Sequence, residues 1–101
     1  MSKSIINKQS YIDSMLRAYG EPIHISSDNN GPTEIAIFVH RVTKPDNVMR
    51  YDDTYYMLVD TDRTGFRQGA NAFHPIMNQR FYIESMYPLN TGFSKCNLNI
   101  V

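Results

Sequence analysis

Thr33-Glu34-Ile35-Ala36-Ile37-Phe38-Val39-His40-Arg41-Val42 is the stretch that decides the fold. Ile35, Ile37 and Val39 alternate with Glu34, Ala36, Phe38 and His40, and side chains on an extended chain point to opposite faces in turn. A period of two makes this a strand with one apolar and one mixed face. Upstream, Ser26-Ser27-Asp28-Asn29-Asn30-Gly31-Pro32 reads as a turn, because Asn and Gly accept positive φ and Asp and Ser bond their own backbone. Before it, Ile23 and Ile25 lie opposite His24 and Ser26 in a shorter strand.

Nearer the N-terminus the period changes. Ile12, Met15, Leu16 and Tyr19 fall at i, i+3, i+4 and i+7, one face of a helix over residues 8–19. Ser10 with Asp13 is a candidate capping box, and Asn7 is the alternative cap. Gly20 is the natural stop, and Pro22 bars continuation.

Downstream, residues 43–53 are polar and contain Lys44-Pro45-Asp46-Asn47, a turn followed by a loop. Thr54 to Asp60 is a strand with Tyr55, Met57 and Val59 on one face and Tyr56 and Leu58 on the other. Two apolar faces mark a central strand or one that meets a partner. A long loop from Thr61 to Gly69 leads to a short strand, Asn71 to Pro75, and a tight turn near Met77-Asn78. Arg80 to Met86 is a strand with Phe81 and Ile83 opposed to an outward Tyr82; a turn follows from Pro88 to Gly92. Lys95 to Val101 ends the chain, with Cys96, Leu98 and Ile100 on one side and Asn97 and Asn99 on the other. One helix and about six short strands, with no crossover helix between strands, imply a mainly β chain. The expected architecture is one domain: the helix, then a small antiparallel barrel or sandwich over residues 22–101.

The 101 residues and 11.7 kDa suit a single core. Ten basic residues balance ten acidic ones, which excludes a binder that coats phosphates with excess cations. Zero net charge also leaves little repulsion between copies. No apolar run is long enough for a transmembrane helix, so no membrane partner is expected, and Met1 to Asn7 carries no secretory signal. Cys96 is the single cysteine, so no internal disulfide framework exists; together these features point to a reducing compartment.

Chemical motifs are sparse. Asp60-Thr61-Asp62-Arg63-Thr64-Gly65 begins like a calcium loop, but Thr64 and Asn71 stand where that loop needs acidic ligands. A strand-end turn held by Asp60 is the simpler reading. His24, His40 and His74 lie on separate strands without metal-ligand spacing, and are expected to be partly exposed. Cys96 at an inward phase reads as a buried thiol, and the neighbours Asp52 and Asp53 point to opposite faces. With no nucleophile elbow, P-loop or dinucleotide motif, the expectation is a protein that is not an enzyme, with no metal and no cofactor. Arg63, Arg67 and Arg80 near Phe66 and Tyr82 could line a single-stranded nucleic-acid surface of the OB type, or form the rim of a protein interface. Seven Tyr and six Met exceed what a small core holds with every hydroxyl satisfied, which favours an interface.

The second half resembles tailed-bacteriophage head–tail joining proteins, the lambda-type joining protein and related head-completion or stopper proteins. The features that carry the resemblance are the strand Tyr55-Tyr56-Met57-Leu58-Val59, an Asp-rich loop, Arg67-Gln68-Gly69 and a short strand. A tight turn, Arg80-Phe81-Tyr82-Ile83-Glu84-Ser85-Met86-Tyr87-Pro88 and a last strand with Cys96-Asn97-Leu98 complete them. The resemblance implies a virion protein made in the host bacterial cytoplasm. It forms a ring, commonly a hexamer, between portal or adaptor and tail, and DNA passes through without sequence-specific binding. Tyr51, Arg63, Phe66, Arg67, Asn99, Ile100 and Val101 are the expected protein-interface residues. A tail terminator or another tail subunit is the neighbouring alternative, and an OB-like nucleic-acid-binding module is the alternative of a different class.

Overall fold

Helix α1 (Lys8–Tyr19) ends at the glycine where the sequence places its stop, but without the left-handed cap: Gly20 donates its N–H to Leu16 O at 2.8 Å and the chain turns into β1 (Glu21–His24). In this computed structural model, which describes residues 8–43 and 52–101, five further strands follow. They are β2 (Thr33–Thr43), β3 (Asp52–Asp60), β4 (Asn71–His74), β5 (Gln79–Pro88) and β6 (Phe93–Ile100). Ser10 lies inside α1 and does not cap it, and Asn7 is outside the described residues.

The strands close into a barrel in the order β1-β2-β3-β6-β5-β4, every neighbouring pair antiparallel. Two three-stranded meanders are joined along β3–β6, and the ring is closed between β1 and β4 by the single pair His24–Phe73. Closure resolves the choice between barrel and sandwich.

Ile23, Ala36, Met57, Val59, Phe81, Ile83, Cys96 and Leu98 fill the interior. The purely apolar face of β2 is not part of it. Ala36 and Phe38 pack inward, whereas Ile37 and Val39 face out and join Ile12, Met15, Leu16, Leu58 and Phe93 beneath α1. Burying the helix stripe thus requires apolar residues on the outside of the sheet. It also explains the two apolar faces of β3, where Met57 and Val59 point inward while Leu58 lies under α1. In β5 a bulge between Ile83 and Ser85 shifts the register by one residue, so that Met86 rather than Ser85 returns to the core side opposite Cys96.

The barrel has two different ends. The loops after β1, β3 and β5 lie at one, here called the base. The β4–β5 turn, the free end of β6 and the outer ends of β2 and β3 lie at the other, here called the mouth.

Candidate interaction surface

The base is sealed by the loop between β3 and β4. Phe66 is 0 % exposed and inserts into the barrel core. The expectation that Phe66 is an interface anchor is therefore corrected: its ring closes the base from within. Thr64 and Gly65 hold the loop down, donating to the Glu34 carboxylate from Oγ1 at 2.6 Å and N at 2.7 Å.

Arg63 and Arg67 also work within the chain. Arg63 donates from Nε to Asp60 Oδ2 and from Nη2 to Asp13 Oδ1, both at 2.6 Å, and so brackets the loop to α1. Burial pushes the Asp60 carboxyl up, but bonds from Arg63, Gln9 and the Asp62 N–H outweigh it and hold it below the usual carboxylate range. The same guanidinium, with Gln9, lowers Asp13. Asp60 therefore acts as the turn-holding residue, its Oδ1 accepting the Asp62 N–H at 3.0 Å. Arg67 folds back, donating from Nη1 to the carbonyls of Thr64 at 3.1 Å and Phe66 at 2.9 Å.

The mouth is dressed differently. Phe38, Tyr55 and Phe81 form an aromatic cluster, with His74 edge-on to Phe38 at 4.4 Å and His40 stacked on Tyr55 at 4.5 Å. His40 is exposed and donates from Nε2 to Asp53 Oδ1 at 2.8 Å; His24 is half-buried and meets Phe73 on the outer face. His74 departs from expectation and is buried, because it points inward and both its ring nitrogens have partners. No group of three or more His, Cys, Asp or Glu is placed to hold a metal among the described residues. Burial pushes the Cys96 thiol up to about 12, so it stays protonated.

Toward the same end lie exposed apolar residues. Ile76 (76 %) and Met77 come from the β4–β5 turn, Val42 from the end of β2, and Ile100 (53 %) and Val101 (56 %) from the end of the chain. Of the seven expected interface residues, Asn99, Ile100 and Val101 are here, with Asn99 donating from Nδ2 to Glu84 Oε1 at 3.0 Å. Tyr51 lies outside the described residues. Val42, Ile76 and Met77 were missed by the sequence reading. Two large apolar residues inside a tight turn were the signal, since such turns favour polar residues, Gly and Pro.

A depression of about 230 Å³ between α1 and the barrel is lined by Leu16, Glu34, Ile35, Asp60 and Arg63. Its charged groups already bond to neighbours in the chain. The chain matches no protein-family model and no curated protein sequence.

Proposed function

We propose that this chain is a structural subunit of a tailed-phage virion, a head–tail connector or head-completion protein. It would form a ring with its own copies between portal or adaptor and tail. One observation carries the reading: a barrel sealed at its base carries toward its mouth the exposed apolar residues Val42, Ile76, Met77, Ile100 and Val101. Exposed apolar groups mark candidate contact surfaces, and these five are the ones toward the mouth, while Tyr87 and Leu89 are exposed toward the base. The order of elements that underlies the resemblance to joining proteins supports the same reading. No reaction is required of such a subunit.

The nucleic-acid module has less behind it. Its surface needs exposed aromatics between free cations. Of the five residues of that surface, Phe66 is in the core, Arg63 is spent on two carboxylates and Arg67 on its own loop, which leaves only the exposed Arg80 and Tyr82.

The test is imaging of purified virions with this chain labelled. Label at the neck is the expected result. Label along the tail would reassign the chain to a tail subunit, and absence from particles would overturn the virion reading.

A further inference from the structure

The register leaves one sheet edge at the mouth without a neighbour. β1 pairs with β2 only from His24–Thr33 to Glu21–Ala36. Ile25 donates its N–H to Pro32 O at 2.7 Å, which continues that ladder and fixes its phase. Even-numbered residues of β2 therefore turn their N–H and C=O groups toward the β1 side, and odd-numbered ones toward β3. Beyond Ala36 no strand covers the β1 side among the described residues, so Phe38, His40 and Val42 each present an N–H and a C=O there.

Nothing in this stretch blunts the edge. Ile37 to Val42 holds no Pro and no Lys, and its ladder with β3 runs from Ile37–Leu58 to Thr43–Asp52 without a bulge. A regular edge of this kind is a template for another strand. Its side chains are apolar at both ends and differ in burial: Phe38 is half-buried at one end, Val42 is exposed at the other, and His40 lies between them.

We propose that this edge pairs with the same edge of a second copy of the chain, antiparallel and centred on His40. Phe38 then lies opposite Val42 of the second copy and His40 opposite His40 of the second copy, and each pair exchanges both of its N–H···O bonds. Three observations choose this occupant and this register. The edge residues are evenly spaced about His40, so a twofold axis there satisfies Phe38, His40 and Val42 of both copies at once. The apolar ends match: Phe38, which packs against His74 and Phe81, is covered by the exposed Val42 of the second copy, and the axis repeats the contact. The neighbouring registers fail. An axis on Arg41 sets two guanidinium groups directly opposite each other, and an axis on Val39 sets Val42 against Ala36, whose edge Glu21 already fills. At the axis itself each imidazole keeps its own carboxylate, since His40 Nε2 meets Asp53 Oδ1 at 2.8 Å. The contact joins like edges and closes at two copies, so it describes the free chain and does not rest on the ring reading.

The test follows the full chain by sedimentation velocity and amide exchange at rising concentration. The wild type is expected to pass from monomer to dimer, with the Phe38, His40 and Val42 amides exchanging at least about tenfold more slowly in the dimer. The Val39 and Arg41 amides, which face β3, are slowed less. Val42→Pro removes one edge N–H and nothing from the β2–β3 ladder, and is expected to stay monomeric with an unchanged circular dichroism spectrum. His40→Cys reads the register. An antiparallel pair that exchanges both bonds holds its Cα atoms about 5.5 Å apart, within reach of a disulfide. Under an added disulfide oxidant, His40→Cys is expected to cross-link at least about tenfold faster than Arg41→Cys, which lies opposite Val39 of the second copy, both folded by the same criterion. Cys96 is buried and does not compete. The edge pair is overturned by a wild type that stays monomeric at millimolar concentration, or by a folded Val42→Pro that dimerises like the wild type. Arg41→Cys cross-linking as fast as His40→Cys, or larger species whose edge amides stay unprotected, overturns it equally.

Discussion

His74 donates from Nε2 to Glu21 Oε1 at 3.0 Å and accepts the Met77 N–H on Nδ1 at 3.2 Å. These partners fix the neutral tautomer with its proton on Nε2. One buried imidazole thereby ties the start of β1 to the end of β4, just above the single His24–Phe73 pair that closes the barrel, and holds the turn that presents Ile76 and Met77.

Replacing His74 by Leu leaves the Met77 N–H without its acceptor and Glu21 without its donor. The expected loss is about 1–3 kcal/mol, or on the order of 5 °C in Tm per kcal/mol. Thermal melts at pH 7 measure it; an unchanged Tm would show that the pair adds nothing to closure.

Phe66→Ala should cost about 3–5 kcal/mol, because it empties the sealed base rather than a contact surface. Phe66→Leu should keep most of that. Urea unfolding with an unchanged m-value is the measurement. A Phe66→Ala protein as stable as wild type would contradict the packing described.

Acid should loosen the helix–loop bracket. Asp60 and Asp13 have folded pKa values below the ordinary 3.8, so the folded state binds fewer protons than the unfolded chain. Their contribution is complete above that ordinary value and is lost as pH falls through the depressed ones. Tm followed downward from pH 5 should drop, and Arg63→Met should lower Tm at neutral pH while flattening the acid limb. Parallel curves for the two proteins would remove Arg63 from the account.

Cys96, buried and with its thiol raised to about 12, should resist thiol reagents at neutral and mildly alkaline pH in the native state. Labelling should track unfolding in urea. Rapid modification of the folded protein would mean that the interior opens.

Much of the architecture was legible because it is local. The helix announced itself through Ile12, Met15, Leu16 and Tyr19, and it ends at Gly20, which is not left-handed as expected but leaves no room for a Cβ between Leu16 O and Ile35. Strand ends moved by a few residues: β3 starts at Asp52 rather than Thr54, and β6 begins at Phe93 rather than Lys95. Pairing with a neighbour extends a strand past the point where its own alternation fades.

Sidedness was not legible. Ile35, Ile37 and Val39 have the perfect alternation of a core face, yet Ile37 and Val39 lie under α1 and Ile35 is exposed. Phe66 and Arg63 have the residue types of an interface, yet one is core and the other a bracket. Which surface an apolar face covers depends on segments distant in sequence, and periodicity carries no term for them.

The order of residues by itself determined the one helix and six strands of the described residues and their antiparallel character, because backbone propensity and side-chain alternation act over a few residues. Only the tertiary structure decided that the sheet closes, that Phe66 seals its base, and that Val42, Ile76 and Ile100 lie toward one end. Closure and the shared mouth arise from register between strands up to tens of residues apart, and register is fixed by the packing of the whole chain at once.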